Sequence, residues 1–139
     1  MLAVRDYSEK ELRLKLMAKN YPAADVDAAV ARLQERGYLD DTALCRRLLE
    51  KFAAGAQYGV HGVAERLKRR GIPGRIVAEA LAEYDRGSDY ARAQALVKRK
   101  FKTITAADAA KVARFLGGRG FGGETVRKIL AELCHYENF

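Results

Sequence analysis

Apolar residues recur along this chain at helical spacing, and the pattern stops and restarts at three places that resemble one another. Leu12 and Leu16, Val63 and Leu67, and Val112 and Leu116 are each one turn apart on a helical face. The face resumes as Val26, Val30 and Leu33, then as Val77, Leu81 and Tyr84, then as Val126, Leu130 and Leu133. In between stand Leu16-Met17-Ala18-Lys19-Asn20-Tyr21-Pro22, Leu67-Lys68-Arg69-Arg70-Gly71-Ile72-Pro73 and Leu116-Gly117-Gly118-Arg119-Gly120-Phe121-Gly122. Each copy has an apolar anchor, then a residue tolerant of positive φ (Asn20, Gly71, Gly120), then a bulky apolar one. Such a segment ends a helix on a left-handed residue and lets the next side chain pack back onto the helix it left. The anchors lie 51 and 49 residues apart, a period that marks an array of similar units, each too small to bury its own stripe.

The same patterning predicts eight short helices and no sustained strand alternation. Ser8 followed by Glu11 reads as a capping box opening a helix to about Lys19. A second helix covers roughly Ala24 to Arg36, and Gly37 stops it. Asp40 and Asp41 cap a third, to about Ala54, with Leu44, Leu48 and Phe52 inward. After the connector Ala53 to Gly59 the cycle restarts: Val60 to Arg70, Gly74 to Tyr84, then a helix capped by Ser88 and running to Phe101 or Lys102. Thr105 or Asp108 opens another to Leu116, and the last covers Gly123 to His135. The predicted fold is all-α, an elongated array of tandem three-helix repeats. With helix types A, B and C in the order A-B-C-A-B-C-A-B, a C-A-B frame divides the chain into units 1–37, 38–86 and 87–139. The first unit keeps only Met1 to Tyr7 of its opening helix: either that helix is short here or the natural chain begins further upstream.

Composition agrees with a helical protein: 49% of residues are hydrophobic and only 2 are proline. No stretch approaches the ~20 apolar residues needed to cross a bilayer, and no cleavable leader is evident at Met1, so the expectation is a cytoplasmic protein. Cys45 and Cys134 are far apart and lack metal-ligand spacing, which reads as reduced, buried thiols.

Charge changes the picture more. The net charge is +8, and +6 of it falls in residues 55–104. A localised basic surface implies an anionic partner, either nucleic acid or an acidic protein surface. The candidate contacts are Arg66, Lys68, Arg69 and Arg70 at one helix end, Arg75 after the turn, Lys98, Arg99, Lys100 and Lys102 at another helix end, and Arg119 in the third turn. Basic residues in a last turn also complement the helix dipole, so ordinary capping or a merely solvated face is the competing reading.

Other motifs carry less. Gly118-Arg119-Gly120-Phe121-Gly122-Gly123 fits G-x-G-x-x-G, but no strand precedes it, and the repeat already explains Gly120 as a turn residue. His61 and His135, the only histidines, have no carboxylate or thiol at ligand spacing, so neither an enzyme nor a cofactor or metal is expected. Short helical units with a glycine turn suggest helix-turn-helix DNA readers, yet the second helices carry mixed or acidic outer faces, which disfavours base reading. An extended, repetitive partner suits a tandem basic array better, with free-standing DNA binding as the alternative.

Tyr7-Ser8-x-x-Glu11-Leu12-x-x-Lys15-Leu16, Gly37-Tyr38-Leu39-Asp40-Asp41, Tyr58-Gly59, Glu65-x-Leu67-x-x-x-Gly71-Ile72, Lys98-Arg99-Lys100-Phe101 and Arg119-Gly120-Phe121 together resemble the RecX regulatory family, in order and spacing over nearly the whole chain. The resemblance implies a cytosolic bacterial modulator of the RecA recombinase acting in recombination and the SOS response; a monomer is the expectation. It implies binding along the groove of the RecA–DNA filament, with direct contact to single- or double-stranded DNA an open point, and limits on ATP hydrolysis, strand exchange and co-protease activity. The chain departs from the family pattern at His61-Gly62, where a basic residue is usual; the expectation is a weaker helix start there. Leu44 stands where an aromatic is more usual.

Overall fold

The structure, a computed structural model, describes residues 6–84, 88–101 and 105–137, apart from the side chains of 106 and 134–137. Lys102, Met1 to Arg5 and the Cys134 side chain therefore lie outside the described residues. Among those described there are eight α-helices and no strand. They are α1 (Glu9–Ala18), α2 (Ala23–Glu35), α3 (Asp41–Gly55), α4 (Val60–Arg69), α5 (Gly74–Tyr84), α6 (Asp89–Lys100), α7 (Ala109–Gly118) and α8 (Gly123–Glu137). The all-α array is what the patterning implied.

Local chemistry sets the helix ends. The Ser8 hydroxyl accepts the Glu11 N–H at 3.1 Å while the Glu11 carboxylate accepts the Ser8 N–H at 2.9 Å, the reciprocal cap expected of this pair. Asp40 accepts from Thr42 and Ala43 at the start of α3, and Ser88 accepts from Ala91 at the start of α6. The opening before Leu116 is tighter than expected: a 3₁₀ turn, Ala106–Asp108, precedes α7.

The three turns share one geometry. Asn20, Gly71 and Gly120 have φ of 67°, 83° and 82°. The residue after each donates its N–H to the anchor carbonyl: Tyr21 to Leu16 at 3.4 Å, Ile72 to Leu67 at 3.2 Å, Phe121 to Leu116 at 3.1 Å. These are Schellman closures, which satisfy carbonyls a helix end would otherwise leave open. Packing back onto the helix holds only for two copies. Ile72 and Phe121 are 4% and 5% exposed, whereas Tyr21 is 54% exposed, because no third helix among the described residues lies over α1 and α2 as α3 does over α5.

Three separate apolar clusters result. Leu12, Val26, Val30 and Leu39 form the first. Leu44, Cys45, Leu49, Val63, Leu67, Ile72, Val77 and Tyr84 form the second, joining α3, α4 and α5. Ala93, Leu96, Val97, Val112, Leu116, Phe121 and Ile129 form the third, joining α6, α7 and α8. The periodicity placed Leu44, Leu48 and Phe52 inward on α3. The structure rotates that face slightly, burying Leu44, Cys45 and Leu49 and leaving Leu48 and Phe52 on its flank. Phe52 is drawn aside by an edge contact with the Tyr58 ring, centroids 5.8 Å apart.

Candidate partner-binding surface

The candidate cations separate into those that the chain holds and those that it leaves open. Arg66 does not project freely from α4. Its guanidinium lies 3.7 Å from the centroid of the Tyr58 ring and donates to the Gly62 carbonyl at 3.1 Å. Arg69 pairs with Glu65 one turn earlier on the same helix. Arg70 reaches back to α1: Nε meets Glu11 at 2.7 Å, and Nη2 meets Glu11 at 3.2 Å and the Asp6 carbonyl at 2.7 Å. Lys100 sits over Phe115 at 4.7 Å, and Arg119 lies between Tyr58 and Phe115 while donating to Gln57 at 3.1 Å. Lys68, Arg75, Lys98 and Arg99 are exposed and make no ion pair or hydrogen bond with other described residues.

The division follows which partners lie within reach, since held and open cations alike stand in last helical turns. Lys68 and Lys98 stand in last turns, where a cation meets the negative end of the helix dipole. Arg70 and Arg119 occupy equivalent places, each just before its turn glycine, and both serve joints between successive helix pairs. At the first joint the α4–α5 turn sits on the start of α1; at the second the α7–α8 turn sits on the start of α4. In both, the first residue of the intervening helix caps the earlier one across the joint. Asp41 accepts the Glu9 N–H at 2.9 Å, and Asp89 accepts the Val60 N–H at 3.0 Å.

Electrostatics at the first joint are mixed. Burial alone would raise the Glu11 pKa, but the hydrogen bond and charge of Arg70, together with those from Ser8, bring it below the usual carboxylate value. Asp41 goes the other way, raised chiefly by burial and further by Glu9, Asp40 and Glu11, against the lowering hydrogen bond from Glu9. The second joint relies on close approach. A side-chain carbon on Gly120 would lie 2.0 Å from the Gly62 nitrogen, and one on Gly62 would lie 2.4 Å from the Arg119 carbonyl oxygen. The Gly59 N–H donates to that same carbonyl at 2.9 Å. Gly62 is thus where a neighbouring turn docks, and not only a weak helix start as the sequence suggested. The missed signal was Gly62, a glycine in the first turn of a helix, where it lowers helix propensity by ~1 kcal/mol relative to alanine and needs a reason.

Among the described residues, no group of His, Cys, Asp and Glu could hold a metal ion, and no helix is long and apolar enough to cross a membrane. Cys45 is buried, with its thiol pKa raised by burial and by the nearby Asp41.

Comparison with known proteins decides the lineage. The family model for the first three-helix domain of RecX matches residues 1–33, and that for the third three-helix domain of RecX matches residues 88–130. The regulatory protein RecX of Trichlorobacter lovleyi is 32% identical over 135 residues, covering 93% of this chain and 88% of the relative. The chain belongs to the RecX family. A regulatory protein RecX of Thermus thermophilus is 36% identical over 121 residues, covering 87% of this chain and 78% of that one. A RecX of Stenotrophomonas maltophilia is 34% identical over 131 residues, covering 92% and 79% respectively. A crystal structure of RecX from Lactobacillus salivarius matches with a TM-score of 0.74 at 18% identity, over 91% of this chain and 85% of that one, a likeness of fold. RecX membership carries a regulatory role with it.

Proposed function

We propose that the protein regulates the RecA recombinase, lying along the RecA–DNA filament and limiting its ATPase, strand exchange and co-protease activity. It does so without catalysis of its own, as a cytoplasmic monomer. Three units divided near residues 37 and 86 would touch successive protomers of the filament. The observation that carries this reading is an array of RecX lineage with separate cores and unengaged cations at successive helix ends, Lys68 and Arg75 on α4 and α5 and Lys98 and Arg99 on α6. Contacts repeated along a polymer add through effective concentration, so no single one has to be strong. Occupying a groove that must move, or must receive DNA, is enough to inhibit. Of the candidate set, these four are the first contacts; Lys102 extends them, and Arg66, Arg69, Arg70, Lys100 and Arg119 hold the array in shape and present its charge.

The test is retention on RecA–DNA filaments against naked single- and double-stranded DNA at matched salt. Stronger retention on filaments is expected. Equal retention on naked DNA, falling steeply as salt is added, would replace this reading with that of an independent DNA binder.

A further inference from the structure

At the joint between α1 and α4 the Arg70 guanidinium pairs with Glu11, while Asp41 lies close to Glu9, Glu11 and Asp40, and Glu9 is itself paired with Arg13 of α1. Glu9 and Glu11 come from α1, Asp40 and Asp41 from the start of α3, and Arg70 from the end of α4. Arg70 is the cation that α4 brings to that group across the joint, and it also holds the Asp6 carbonyl. Among the described residues the second joint has no such ion pair: Arg119 lies over the Tyr58 ring and donates to Gln57, Asp89 accepts the Val60 N–H, and the bond from Gly59 to Arg119 and the glycine contact are main-chain. Where Gly59 donates to the neighbouring turn, the equivalent Ser8 N–H is turned inward to Glu11. Both joints thus share a carboxylate cap and an arginine; the first adds an Arg–Glu ion pair and the second adds close backbone packing.

We propose that Arg70 is a latch: the first helix pair, α1–α2, swings on the body formed by α3–α8, and a phosphate of a polyanionic partner releases it by competing for this guanidinium. The covalent pivot is Leu39–Asp40, between the last residue of the first core and the N-cap of α3. Side chains are placed for such competition. Arg70 is 35% exposed and lies beside Lys68 and Arg69, which draw a phosphate polymer to the same helix end. Once Arg70 turns to a phosphate, the carboxylates of α1 and α3 face one another without their cation from α4, and repulsion opens the joint. Binding and reshaping are then one event, which lets the array adjust the spacing of its units to the polymer that it lies on.

Hydrogen exchange at named amides tests this on the intact chain. The Glu9 N–H, whose acceptor is Asp41 across the joint, reports latch opening; the Gly59 and Val60 N–H groups report the second joint; the Leu12 N–H, bonded to Ser8 within the first pair, reports whether α1 itself stays folded. Arg70→Gln should accelerate Glu9 exchange roughly tenfold, in line with the loss of a charge-assisted bond, and leave Leu12, Gly59 and Val60 within about twofold. An oligothymidine added to the unaltered chain should accelerate Glu9 in the same way, and should do nothing further in Arg70→Gln. Glu9 protection unchanged by either treatment would overturn the proposal, as would Leu12 losing protection together with Glu9, which means that α1 unravels instead of swinging.

Discussion

At the first joint a turn meets a helix start through an arginine–glutamate ion pair; at the second it meets one through closely packed glycine backbone, with its arginine over a tyrosine ring. Arg70 corresponds to Arg119, Glu9 to Val60 and Asp41 to Asp89, each pair standing in the same place relative to its joint. The docking geometry is therefore repeated while the attraction that closes it is not. A repeat of this kind preserves where the pieces meet, because the turn and the cap fix that. Which interaction holds them is left free to vary, since ion pairing, arginine–ring stacking and close packing can each supply the modest stabilisation that such a contact requires. A charged joint can be opened by a competitor, whereas a packed one opens only when backbone separates.

Substitutions can break this contrast in graded ways. The largest effect is expected from Gly120→Ala. Its φ of 82° is unfavourable for alanine, and the new carbon would lie 2.0 Å from backbone that cannot retreat. Thermal or denaturant unfolding should show a loss of ~3 kcal/mol or more, with the third cluster uncoupled from the second. Gly71→Ala shares the same φ penalty, but its carbon would meet the Lys10 Cβ and Ser8 Oγ at 2.7 and 3.0 Å, a milder overlap that a small displacement of the α1 start can relieve. A loss of about 1–2 kcal/mol is expected there. Equal losses at the two glycines would mean that the joints are closed alike.

Arg70→Ala and Arg119→Ala come next, each costing about 1 kcal/mol because both side chains keep partial access to water. The two should differ in pH response. The Glu11 pKa is depressed in the folded chain, so its contribution is fully present above its unfolded value and is lost as pH falls through the folded value. Asp41 is raised, so the folded chain takes up that proton before the unfolded one does, and this partly offsets the loss as pH first falls. Denaturant titrations across the carboxylate range should therefore show the acid loss flattened in Glu11→Gln and in Arg70→Ala, and unchanged in Arg119→Ala. An unaltered acid profile in Glu11→Gln would mean that the first joint is not held by this ion pair. The smallest effect belongs to Lys68, Arg75, Lys98 and Arg99, whose replacement by alanine should move stability by no more than about 0.5 kcal/mol each.

Much of the fold was legible because it rests on local rules. The anchors, the positive-φ residues Asn20, Gly71 and Gly120, and the Ser8–Glu11 cap are all set by neighbours a few residues away. Long-range pairings were not legible: Arg70 meets Glu11 across 59 residues and Glu9 meets Asp41 across 32. A clustering of basic residues marks potential, but cannot distinguish an arginine stacked on Tyr58 from one left in water. Arg66 and Lys68, two positions apart on α4, fall on opposite sides of that distinction. Tyr21 failed for a related reason, since its burial depends on a covering helix and not on its own turn.

Regulation through the unengaged cations is tested most directly by titrating RecA ATPase on single-stranded DNA with the unaltered chain and with the variant Lys68→Glu, Arg75→Glu, Lys98→Glu, Arg99→Glu. Inhibition by the unaltered chain, and its loss in a variant whose helix content and unfolding midpoint are preserved, is the predicted result. Undiminished inhibition by the charge-reversed chain would contradict it.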